Sequence, residues 1–205
     1  MNISEVTNPR LEKIGKFHFY EKAKSKMKFI DIEIIPNINN SNTGRVYFIT
    51  ADGVINKIGS SEAKGGIKKT AKTYCDQSCS GRPSDRTAGL GALIYKTLKL
   101  GKIVEIYAIV MPTILAQIDG LYGSMEGNAS ISAFYAEEKC REDYKEKTGH
   151  LPIWNLQEAG LTSPEIIKFT DRIKNKTFQN RQELLDYLNG IDITFVDNKQ
   201  ERIII

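Results

Sequence analysis

Tyr47 and Lys57 are the first residues in this chain whose types and spacing suit chemistry. They lie in the stretch Arg45 to Ser61, RVYFITADGVINKIGSS. Two short apolar segments, Val46 to Ile49 and Val54 to Ile58, flank Ala51-Asp52-Gly53. Asp-Gly is a strong hairpin signal because both residues tolerate positive φ. The spacing predicts a β-hairpin with a tyrosine on one strand and a lysine near the end of the other. Alternation puts Tyr47 and Ile49 on one face and Val46 and Phe48 on the other. After Lys57 come Ile58-Gly59-Ser60-Ser61, and a strand glycine lets a backbone or a ligand approach closely. A phenol and an ammonium group thus flank a small-residue exit.

The charges around that hairpin favour a polyanion. The 205 residues carry a net charge of +4, unevenly spread. Lys57 to Lys102 holds ten lysines and arginines against three acids, and residues 1–28 hold seven against three. A basic belt beside the hairpin suits nucleic acid. Thiol and imidazole metal chemistry is not expected. Cys75 and Cys79 form a C-x3-C pair with no second pair, Cys140 is alone, and His18 and His150 lie far off in sequence. A zinc site needs about four ligands, so the cysteines read as free thiols in a reducing compartment. No apolar run nears the ~18 to 20 residues that span a bilayer. The N-terminal segment has no secretory h-region. The expected location is cytoplasmic, with no membrane partner.

The elements that must position these groups follow from periodicity. Residues 4–27 read as helical or partly helical, with Leu11, Ile14, Phe17 and Phe19 among lysines. Phe29 to Ile35 alternates and reads as a strand stopped by Pro36. Asn37 to Gly44 is turn-rich. Ile67 to Tyr74 predicts a short helix with lysines on its outer face. Thr87 to Leu100 carries an apolar stripe at helical spacing. Ile103 to Val110 is apolar enough for a central strand. Thr113 to Leu121 is expected to be a short helix, Gly120 to Asn128 a loop, and Ser130 to Lys147 a helix with Ile131, Phe134 or Tyr135, Cys140 and Tyr144 inward. Ser163-Pro164-Glu165 opens a further helix, with serine as N-cap and proline in the first turn. Arg181 to Leu188 forms another, and Ile191 to Val196 and Ile203 to Ile205 read as strands. The expected class is α+β: a small three-stranded antiparallel sheet, made of the hairpin plus a third strand, flanked by helices. Residues 1–43 read as an N-terminal basic extension, 44–156 as the core and 157–205 as a C-terminal helical and strand extension.

Tyr47 and Lys57-Ile58-Gly59 on one hairpin resemble the paired motifs of the GIY-YIG nuclease superfamily. A basic helical segment, a third strand, a glutamate-bearing helix and the ending Pro152-Ile153-Trp154-Asn155 complete a similar order over roughly residues 44–156. Two positions depart from the pattern. The first motif's glycine is Arg45, and Lys57 stands where the second tyrosine is usual. The lysine is similar to a minority branch that includes sequence-specific restriction endonucleases.

The resemblance implies a Mg²⁺-dependent DNA endonuclease, of type II restriction character, acting on double-stranded DNA as a homodimer. Its arginine corresponds to Lys68 by distance, with Arg82 and Arg86 further along. Its metal-binding glutamate falls on the helix before Pro152. Glu137 shares a face with Cys140 and Tyr144, whereas Glu138 is rotated about 100° away; Glu126 precedes the helix. Glu137 is preferred and Glu138 stays open. A single carboxylate can hold one Mg²⁺ that keeps several waters. Tyr47 would orient or deprotonate the attacking water. A free phenol has a pKa of about 10 and needs help near neutrality, which Lys57 would supply by favouring phenolate. Lys68, Arg82 or Arg86 would stabilise phosphorane charge, and Asn155 would fix the local loop. The alternative is a non-catalytic nucleic-acid-binding domain of the same fold.

Overall fold

The Asp52-Gly53 turn forms as its sequence requires, with φ of 48° and 78°, between strands later numbered β3 and β4. In this computed structural model, residues 1–21, 27–38, 43–75, 85–196 and 202–204 are described. Arg45–Ala51 and Val54–Ser61 are the two hairpin strands. Ahead of them come β1 (Leu11–Phe19) and β2 (Ile30–Ile34). After them come α1 (Gly66–Cys75), α2 (Asp85–Lys99) and β5 (Val104–Val110). These strands form one five-stranded sheet in the order β2-β1-β5-β3-β4, with every adjacent pair antiparallel.

The expected three-stranded sheet is therefore corrected to five strands, and α+β layering is retained. The two additional strands come from the N-terminal region, and residues 11–19 are strand where helix was expected. The apolar residues Leu11, Ile14 and Phe17 are spaced by three, which imitates a helical stripe. The spacing arises instead from a bulge, since the β1–β5 register shifts between Lys13 and Gly15. A bulge inserts one residue and resets the alternation. Gly15 belongs to the same device, because a Cβ there would collide with the Glu33 carbonyl on β2.

Each face of the sheet is covered. Ile14, Phe17, Tyr47, Ile49, Ile106 and Ala108 face α1 and α2, where Ile67, Ala71, Leu93 and Ile94 are buried. Val46, Phe48, Ile58 and Ile109 face α3 (Ala133–Thr148) through Ala133 and Tyr144. Ser132 caps the start of α3, and Gly149 ends it at φ 82°. The first core continues into α4 (Pro164–Lys174) and α5 (Arg181–Gly190), with Phe169, Leu184 and Leu188 buried. Ser163 accepts from the Ile166 N–H and Pro164 stands in the first turn, as the sequence signals. A short β8–β9 pair (Thr194–Val196 and Arg202–Ile204) closes the chain.

Between β5 and α3 the chain is a second hairpin rather than helix and loop. β6 (Thr113–Gly120) and β7 (Gly123–Ser130) pair along their whole length as a separate two-stranded sheet. Ile114, Leu115 and Ile118 fit helical and strand periods alike, and so short an apolar run does not separate them. Among the described residues no helix is long and apolar enough to cross a membrane.

Candidate active site

The chemistry-bearing residues gather around β4, which is an edge strand of the sheet. On the α1 side, Tyr47 lies directly opposite Gly59, and Ile49 opposite Lys57. Tyr47 and Lys57 are thus diagonal neighbours on one face, a separation of about 7–8 Å between such positions. Gly59 makes the tyrosine's position possible, because a Cβ at 59 would fall within the Tyr47 phenol ring. Tyr47 is 5% exposed, and its hydroxyl shares a short hydrogen bond with the Tyr74 hydroxyl of α1. Tyr74 follows Ile67 and Ala71 on the inward helical face, a pairing the sequence reading missed. Its i+3 and i+7 spacing carried that signal.

Lys57 is 3% exposed. It helps line a cleft of about 230 Å³ together with Trp154, Glu158 and apolar residues of α2 and α4. A β-bulge beside it, where the register shifts between Ile49 and Thr50, turns the strand at this point.

On the α3 side, Ser60 follows Gly59 and pairs with Val46. Its hydroxyl donates to Glu137 Oε2 at 2.5 Å. The other carboxylate oxygen of Glu137 is 3.7 Å from Arg141 Nη1, and the same guanidinium nitrogen is 3.4 Å from Glu158. Glu137 is 9% exposed, whereas Glu138 faces solvent and Glu126 lies on the exposed hairpin strand β7. Ser60 and Arg141 were not anticipated. Arg141 stands four residues beyond Glu137, the spacing at which helical side chains meet. Cys140, beside Glu137, has its thiol pKa pushed up to about 11 by burial first and then by Asp143 and Glu137.

The open edge of β4 is closed by the segment ending in Trp154-Asn155. The Trp154 N–H donates to the Asn56 carbonyl at 2.8 Å. The Asn155 side chain accepts from the Ile58 N–H at 2.9 Å and donates to the Ile58 carbonyl at 2.8 Å. One side-chain amide thereby satisfies both main-chain groups of an edge residue, as a neighbouring strand would. Asn155 is fully buried.

The cations divide. Lys68 lies half-buried on α1, while Lys69 and Lys72 on the same helix are exposed. Lys96 of the basic belt turns inward and donates to the carbonyls of Leu188 and Ile191. Arg86 is in the first turn of α2, with its side chain outside the described residues, as is Arg82 entirely. Arg45, in place of the motif glycine, is fully buried. It donates to the Ala63 carbonyl at 2.5 Å and to Ser61 Oγ at 3.4 Å, pinning the turn between β4 and α1. Burial lowers its pKa, and Glu62 acts the other way.

Among the described residues no group of three or more His, Cys, Asp and Glu gathers as a metal cluster. Glu137 nevertheless suits a single hard cation. A carboxylate offers about four lone-pair sites, and among the described residues one hydroxyl hydrogen bond and one ion pair are drawn to it.

No family model matches the chain. No curated protein matches its sequence either. Solved structures with partial similarity to the chain include two nucleases. A mutant of bacteriophage T4 EndoII aligns at 18% identity with a TM-score of 0.49, covering 76% of this chain and 99% of that one. The restriction endonuclease HPY188I in complex with product DNA aligns at 21% identity with a TM-score of 0.37, covering 70% of this chain and 79% of that one.

Proposed function

We propose that this chain is a Mg²⁺-dependent DNA endonuclease that hydrolyses phosphodiester bonds in double-stranded DNA, of type II restriction character, acting as a homodimer. The observation that carries the reading is the docking of Glu137 onto Ser60 one residue beyond the Tyr47–Gly59 pair. A fixed carboxylate on the α3 side of β4 thereby lies one residue along the strand from the pair that holds the buried phenol, with the buried ammonium on the phenol's face. The chemistry resides in residues 44–156.

In this reading Tyr47 orients the attacking water and accepts its proton. The Tyr74 hydroxyl donates toward the Tyr47 oxygen, and Lys57 on the same face places positive charge beside it. Both stabilise phenolate over phenol. Glu137 holds the divalent ion, and Ser60 and Arg141 hold Glu137. A divalent ion held there would supply charge neutralisation to the scissile phosphate. Lys68 from α1, with Arg86 or Arg82 from the start of α2 and the segment before it, neutralises phosphorane charge. Asn155 keeps β4 in register so that Lys57 and Ser60 stay on opposite faces. The exposed lysines of α1 attract the DNA backbone.

The test is plasmid cleavage with Mg²⁺. Wild type and Glu138→Ala are expected to cut and Glu137→Ala is not. Equal behaviour of wild type and Glu137→Ala overturns the assignment. Salt-dependent DNA binding with no cutting under any divalent metal returns the non-catalytic binding domain instead.

A further inference from the structure

The β6–β7 hairpin has two chemically different faces. Register pairs Ile114 with Ala129, Ala116 with Gly127 and Ile118 with Met125, so these six residues share one face. The opposite face carries Thr113, Gln117, Asp119, Ser124, Glu126 and Asn128, with Leu115 as its apolar member. Such clean alternation is the mark of a sheet packed on one side. Among the described residues the apolar side stays open: Ile114 is 48% exposed, Ile118 43% and Met125 66%. A lone two-stranded hairpin is marginal in water, and this one adds to neither core cluster.

We propose that this arm is a dimerisation element whose apolar face packs against the same face of a second copy of the chain. Nucleic acid is the wrong occupant, because Thr113–Ser130 contains no lysine or arginine and two acids. Two-fold pairing uses one patch on both partners, and an apolar face of paired strands suits sheet-on-sheet contact. Ile118 lies across Gly127, where a Cβ would come within 2.7 Å of its Cδ1.

The dimensions extend the contact beyond the strands. Eight residues per strand reach about 27 Å at about 3.4 Å per residue. That face covers only a few hundred Å², and a stable interface takes about 800 Å² per partner. Antiparallel packing about a two-fold axis lays the tip of each arm on the base of the other. The tip presents Leu121 and Tyr122, 94% and 101% exposed, and the base presents Ile131, Phe134 and Tyr135, also exposed. The pairing brings two β4 edges into one particle, which two-strand cleavage needs; that last point rests on the proposed function, whereas the surface itself does not.

Sedimentation velocity at micromolar concentration tests this. The wild type is expected at twice the 23.1 kDa chain mass. Ile118→Lys and Met125→Lys are expected to halve that mass while still unfolding in one cooperative transition, and Leu115→Lys on the polar face is expected to stay two-chain. A single-chain wild type, including one whose arm binds a hydrophobic dye, overturns the proposal. So does a two-chain particle in both apolar-face variants, or equal dissociation by Leu115→Lys. Glu137→Ala is expected to remain two-chain, so loss of the nuclease reading and loss of the dimer are separate results.

Discussion

Tyr47 and Gly59 face each other across the β3–β4 pair, and the tyrosine ring occupies the space a side chain at 59 would need. The motif glycine is thus a steric requirement of the candidate base. Gly59→Ala is expected to overpack the site at a cost of about 1–3 kcal/mol. Urea unfolding will read that loss, and cleavage should fall with it because the phenol must move.

Ser60 and Glu137 give a second expectation. Partners that orient a metal ligand are worth about 10–100-fold in affinity or activity. Ser60→Ala should therefore raise the Mg²⁺ concentration for half-maximal cleavage by about that factor while leaving the maximal rate largely intact. An unchanged Mg²⁺ titration would remove Ser60 from the site.

The Tyr47–Tyr74 hydrogen bond predicts a pH signature. Tyr47→Phe should lower the cleavage rate by about 10²–10⁴, the usual range for a positioned base. In that reading Tyr74 donates to the Tyr47 oxygen, so Tyr74→Phe removes a hydrogen bond that favours phenolate. The acid limb of the pH–rate profile should then move to higher pH, with a smaller loss of rate at alkaline pH. A uniform loss at every pH would assign Tyr74 to packing alone.

Asn155 should matter to stability as much as to activity. Asn155→Ala leaves the Ile58 N–H and carbonyl without their side-chain partner in a buried setting. An unsatisfied buried group costs about 1–3 kcal/mol. A fall in the urea midpoint of that order is expected. Asn155→Asp keeps the acceptor and loses the donor, and should fall between the two.

Glu165 ties α4 to β8 and predicts an acid dependence. Burial opposes its ionisation, but its own N–H, the Ser163 hydroxyl and the Thr194 N–H and hydroxyl outweigh burial and hold its pKa below the ordinary carboxylate value. The lowered folded value means that the stabilisation is fully present above the unfolded pKa and is lost as pH falls through the folded one. Thermal melts should decline below about pH 4.5, and Glu165→Gln should flatten that part of the decline.

The local devices were legible because they need only neighbours in sequence. Asp52-Gly53 set its turn, Ser163-Pro164 opened its helix and Gly149 ended another. The face of Tyr47 and the inward turn of Glu137 followed from periods of two and 3.6 residues. Residues 11–19 were misread because a bulge disguised the alternation. Residues 113–130 were misread because spacing alone fits two periods.

What the sequence determined by itself was therefore the β3–β4 hairpin, the helix caps at Ser163 and Gly149, and the faces of Tyr47 and Glu137. The tertiary structure decided the rest. It set the sheet at five strands and left β4 at the edge, where Asn155 could take the place of a missing strand. It joined Tyr74 to Tyr47 across 27 residues and Ser60 to Glu137 across 77. The physical reason is that a hydrogen bond between distant segments leaves no periodic trace in the chain. Only the order of strands and the faces they present bring such partners together.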